Sequence, residues 1–175
     1  MASRYNLLDY DSDQDAHEVP DSNLLSAAFF IADLFQRHGI PYGVMGGFAL
    51  RLMGPPRETH DVDIAFQAPG KMRDATKTPP RDLDSRRKRV LVNISDSEQR
   101  EIYTLDMLAL VRGKMTAFMA RGKASDRMDV RFLLQTFPDE VQEVRDRLDP
   151  EAVDHFLESS VFDGNREYWK RILGR

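Results

Sequence analysis

Leu24, Ala28, Ile31 and Phe35 recur at helical spacing through the stretch SNLLSAAFFIADLFQRHG. The pattern predicts a helix, with Asp21 or Ser22 capping its start and Gly39 following its end. YGVM then reads as a short strand, and GGFALRLMG as a short helix closed by Gly54-Pro55-Pro56. HDVDIAF alternates as a strand does, with Val62, Ile64 and Phe66 on one face and Asp61 and Asp63 on the other. Across 67–88 the only apolar side chains, prolines apart, are Ala68, Met72, Ala75 and Leu83, so this stretch reads as a loop. RVLVNIS is the next strand, turning Val90, Val92 and Ile94 to the core and Leu91 and Asn93 away from it. EIYTL is a further short strand. From Asp106 onward the pattern is helical. Leu108, Val111, Met115 and Phe118 form one stripe, and Ser125 caps a second helix carrying Val130, Leu133 and Leu134. Three more helices cover PDEVQEVRDRL, PEAVDHFLESS and GNREYWKRILG. Strands cluster early and helices late, which predicts an α+β fold. The expected organisation is an acidic lead-in over 1–21, an α/β core over 22–105 and a helical part over 106–175 packed on it.

Composition narrows the classes. At 175 residues, with 41% apolar and 31% charged side chains, the chain suits one globular domain with a wet surface. A formal net charge of -4 argues against a general nucleic-acid coat, which needs a basic stripe, and nothing points to DNA. There is no cysteine, hence no disulfide, thiolate metal site or cysteine nucleophile, as fits a cytoplasmic protein. No apolar run approaches the roughly 20 residues that span a bilayer, so no membrane partner is expected. Asp9, Asp11, Asp13 and Asp15 alternate through the first residues. They lack the central glycine and closing glutamate of a calcium loop and read as a solvated lead-in.

The candidate chemistry lies between Gly43 and Phe66. Gly46-Gly47, at a strand-to-helix turn, would let a phosphate approach the backbone; close packing of strand on helix explains the pair equally well. Asp61 and Asp63, at i and i+2 of a strand, point the same way with Cα atoms roughly 7 Å apart. They can share a divalent ion, and magnesium prefers such oxygen ligands, completing its shell with substrate phosphates. The bland alternative is a solvent-facing edge strand. Lys114 could reach a polyphosphate or be ion-paired on its helix. Asp106 suits a helix N-cap, and Asp126 and Asp129 the first turn of a helix, where negative charge is favoured. Arg86 to Arg89 read as a solvated basic loop, and His60 as a strand residue. No P-loop, dinucleotide-binding or nucleophile-elbow motif is present.

A Gly-Gly turn, a short helix and then Arg-x-Thr-x-Asp-x-Asp, here Gly46, Gly47, Arg57, Thr59, Asp61 and Asp63, resembles the signature of the nucleotidyltransferase-fold superfamily. The stretch looks most like the AbiE-type toxins and the small nucleotidyltransferase-like proteins of filamentous fungi. LDMLALVRGKMTAFMARGKASDRMDVRFLL continues the likeness through Leu108, Lys114, Arg121, Lys123, Asp126 and Asp129, so it covers about residues 22–137. The resemblance implies Mg²⁺ on Asp61 and Asp63, an NTP held by Gly46, Gly47, Arg57, Thr59 and Lys114, and transfer of a nucleoside monophosphate to an acceptor: a small molecule, a protein or RNA. Active members add a third carboxylate from a neighbouring strand. The matching strand is VLVNIS and the matching residue Asn93, which could ligate metal through its amide oxygen but cannot act as a base. Two expectations follow, a Mg-dependent nucleotidyltransferase or a catalytically degenerate nucleotide- or partner-binding module of the same fold.

Overall fold

YGVM and the run ending EIYTL form two strands that lie side by side at the centre of the sheet. The computed structural model describes residues 20–54, 59–67, 82–95, 97–161 and 163–175. The elements in chain order are α1 (Asp21–Arg37), β1 (Tyr42–Met45), α2 (Gly46–Arg51), β2 (Asp63–Phe66), β3 (Arg87–Ser95), β4 (Glu98–Leu105), α3 (Met107–Arg121), α4 (Ala124–Thr136), α5 (Pro138–Val144), α6 (Pro150–Glu158) and α7 (Arg166–Leu173). Short 3₁₀ turns at Asp84–Arg86 and Arg145–Arg147 join them. The sheet order is β2-β1-β4-β3. β1 runs antiparallel to β2 and parallel to β4, and β3 and β4 form an antiparallel pair. The fold is therefore α+β: among the described residues, seven α-helices and one four-stranded mixed sheet.

One apolar cluster runs from Leu24 of α1 through Val44, Phe48 and Ile102 to Trp169 and Leu173 of α7. Gly43 allows the central pairing: a Cβ there would lie 2.7 Å from Leu105 Cδ2, closer than side chains pack. Phe35 of α1 stacks on Phe66, ring centroids 5.1 Å apart, and so fixes the end of β2. Among the described residues no helix is long and apolar enough to cross a membrane.

Several boundaries differ from expectation. α1 begins at Asp21 with Pro20 at the N-cap position, so neither Asp21 nor Ser22 caps it. Ser125 lies inside α4, whose N-cap is Lys123, and Asp129 falls beyond the first turn. β2 starts only at Asp63, because β1 ends at its partner Met45, where the chain turns at Gly46; His60 and Asp61 precede the strand. β3 starts at Arg87, inside the expected loop. Ile94 is 38% exposed rather than in the core, because the β3–β4 register slips between Asn93 and Ser95. The lead-in over 1–19, Arg57 and the stretch 68–81 lie outside the described residues.

Candidate functional site

The turn from β1 into α2 sets the floor of the site. Met45 is extended, with φ -133° and ψ -168°, and Gly46 then takes φ +68°, a conformation that L side chains rarely adopt. Met45 pairs with Asp63 across the sheet, which brings the Asp63 side chain over Gly46. A Cβ on Gly46 would lie 2.1 Å from Asp63 Oδ2. The missing side chain of Gly46 is the space that the carboxylate fills. Gly47 is buried as the second residue of α2.

Asp61, just outside the strand, is restrained by Thr59. The Thr59 hydroxyl lies 3.1 Å from Asp61 Oδ1 and 3.2 Å from its main-chain oxygen, and donates there. Burial raises the pKa of Asp63 above the ordinary carboxylate value; the nearby Asp61 charge adds to the rise, while Lys114 and Arg121 oppose it.

A cleft of about 160 Å³ separates this floor from α3. Met45, Gly46 and Asp63 line one side, and Ala109, Leu110, Gly113, Lys114, Ala117 and Arg121 the other. Ala109, Gly113 and Ala117 follow one another at four-residue spacing, so one face of α3 carries small side chains where it passes the site. Arg121 extends the same row. The two cations are anchored from α4. Lys114 Nζ lies 2.8 Å from Asp129 Oδ2 and 3.7 Å from Asp126 Oδ1. Arg121 Nη2 donates to both Asp126 oxygens, at 2.7 and 2.9 Å. Asp126 and Asp129 are 3% and 5% exposed at their side chains, and buried carboxylates persist only when paired. Lys114 is thus both ion-paired and part of the cleft wall. Asp126 and Asp129 offset part of the charge that Lys114 and Arg121 bring to the cleft wall.

Asn93 does not belong to this group. It lies on β3, and both β1 and β4 stand between β3 and β2. The row through Ile64, Val44 and Thr104 meets β3 at Lys88. Asn93 is five residues further along, roughly 17 Å at the usual strand rise, and on the side away from Asp63. Its amide oxygen accepts a bond from Gln99 Nε2 at 2.8 Å. The strand next to β1 on the side away from β2 is β4, and the acid just past its end is Asp106. Asp106 Oδ1 accepts the Ala109 N–H at 2.8 Å as the N-cap of α3, and Arg86 donates to both its oxygens. The arginine's pKa is raised accordingly.

The sequence reading gave Arg121 no place in the site and missed the small-residue row on α3. The signal was present in the four-residue spacing of Ala109, Gly113, Ala117 and Arg121. Among the described residues no group of three or more His, Asp or Glu side chains is placed to hold a metal ion. No family model, curated protein or solved structure matches the chain.

Proposed function

We propose that the chain is a nucleotidyltransferase-like protein that binds the polyphosphate of an NTP with Mg²⁺ and passes a nucleoside monophosphate to an acceptor hydroxyl. One observation carries the reading: Asp63, held over Gly46 beside Asp61, faces Lys114 and Arg121 across a single cleft. Asp63, whose proton affinity is raised by burial and then by the Asp61 charge, suits a divalent cation with oxygen preference. Asp61 and Asp63 are the residues that would hold it, with substrate phosphates completing the shell. When bound, Mg²⁺ neutralises charge on the phosphoryl group being transferred. Lys114 spends part of its ammonium on Asp129 and Asp126, and Arg121 spends one nitrogen on Asp126. Each retains donors for phosphate oxygens. Gly46 leaves the floor free of a side chain. We place this activity in the cytoplasm.

A second reading, a nucleotide-binding module without turnover, draws on the carboxylate count. The acid that follows β4, Asp106, is engaged by Arg86 and by the start of α3.

Calorimetry with Mg·NTP tests the site, and α-phosphate-labelled NTP tests transfer. The Asp61→Asn/Asp63→Asn double variant is expected to lose at least tenfold in Mg·NTP affinity, about 1.4 kcal/mol. Asn93→Asp is expected to bind as the parent does. Equal affinity of parent and double variant would remove the carboxylates from the site. Tight binding without label transfer would select the second reading.

A further inference from the structure

Gly113 stands in the middle of α3, and the fold itself does not call for a glycine there. Its backbone is outside the positive-φ region that favours glycine. A Cβ built on it meets nothing within 4 Å beyond its chain neighbours and its own helix backbone. Gly43 and Gly46 differ, since a Cβ on either runs into Leu105 or Asp63. Inside a helix glycine is destabilising relative to alanine, because it loses more chain freedom on folding. The helix would therefore gain from a methyl group at position 113, and there is room for one. That room opens into the cleft, whose α3 wall includes Gly113 and whose other side is Met45, Gly46 and Asp63.

The cleft is divided by charge. Lys114 and Arg121 turn their cationic ends to the same acid, Asp126, at 3.7 and 2.7 Å, so positive charge is gathered there. The other α3 residues of the wall, Ala109, Leu110, Gly113 and Ala117, are uncharged. Met45, 38% exposed, lines the side across from them. The alanines one turn to either side of Gly113 carry only methyl groups, so the gap at Gly113 is flat and low-walled. A Mg·NTP has the same division, with charged phosphates at one end and a flat, uncharged base at the other. Its phosphates belong with the cations and Asp63. Its base suits the gap, where a planar ring can pack on bare helix backbone and meet the Met45 thioether, a favourable partner for aromatic rings. We infer that Gly113 is a specificity-determining residue of the cleft, keeping clear the space in which the nucleobase lies between α3 and Met45. The inference rests on the Mg·NTP reading of the cleft and adds the seat of the base to it.

Calorimetry on the full chain separates the two. The probes are the common ribonucleoside triphosphates in turn, each with Mg²⁺, and Mg·tripolyphosphate, which has no base. Gly113→Leu fills the gap, and Gly113→Ala narrows it by one methyl group. Both variants are expected to melt no lower than the parent. Gly113→Leu is expected to bind Mg·NTP about tenfold more weakly, with Gly113→Ala between it and the parent. Tripolyphosphate should not distinguish the three proteins. Equal Mg·NTP affinity in parent and variants overturns the inference and leaves the cleft reading standing. Equal losses with NTP and tripolyphosphate overturn it too, since the space would then be the phosphates'. A lower melting temperature for Gly113→Ala would show that the fold itself needs the glycine. A parent that binds neither probe removes the cleft reading, and the seat of the base with it.

Discussion

Asp63 holds its charge against the preference of its surroundings. Its pKa stands above the ordinary 3.8, through burial first and the Asp61 charge second. The native state therefore keeps the proton over a pH range in which the unfolded chain has released it. Stability falls as pH rises from the unfolded to the folded pKa and is level above. Below the unfolded pKa both states are protonated and the effect is gone. Asp63→Asn removes this dependence. With a chelator present, the variant is expected to melt above the parent at neutral pH, and the gap should close on acidification to about pH 3. A variant that melts lower at neutral pH would show that attraction to Lys114 and Arg121 outweighs burial and repulsion.

At the scale of elements, the start of α3 carries the connection from sheet to helices. Asp106 satisfies an orphan N–H of the helix and pairs with Arg86, which the 3₁₀ turn at Asp84–Arg86 presents. Asp106→Ala loses the cap and leaves Arg86 without that acid, a cost of about 1–3 kcal/mol in urea unfolding. A loss well under the lower figure would mean that water replaces both contacts. The cap was legible in the sequence because capping is local, as was the α3 stripe of Leu108, Val111, Met115 and Phe118, all buried. Strand neighbours were not legible. The pattern around Asn93 is that of a strand with one face turned from the core, but it says nothing of which strand lies beside β1. That place went to β4 through the Val44–Thr104 pairing, between residues far apart in sequence. The alternation over His60–Val62 was equally strand-like, and failed because the partner strand had already turned away. Asp126 and Asp129 read as structural acids in the first turn of a helix. Their burial depends on two cations from another helix.

The whole molecule joins its early and late halves through the same cleft, since the sheet supplies one wall and α3 the other. Both halves also share the apolar cluster that ends at α7. Trp169 is fully buried, its ring 5.5 Å from that of Phe156, with the Arg131 guanidinium 5.1 Å from its centroid. Truncating such a residue costs typically 3–5 kcal/mol. Trp169→Ala is therefore expected to lower the stability of the sheet as well as the helices. Strand-region and helix-region probes in the variant should lose signal in one coincident transition. Two separated transitions would show that the halves fold independently and that the site is assembled by docking.

The contact between Gly46 and Asp63 also constrains how such a chain can diverge. Any side chain at position 46 meets the carboxylate, and the positive φ resists it independently. A change there therefore requires the turn itself to be rebuilt. Position 63 has no such restraint, since a smaller or neutral side chain fits the same space. Drift is one-directional: the acid can be lost while the glycine stays, but the glycine cannot go first. A descendant that has abandoned the chemistry would still carry the bend, and the bend without the acid is the trace by which it would be known.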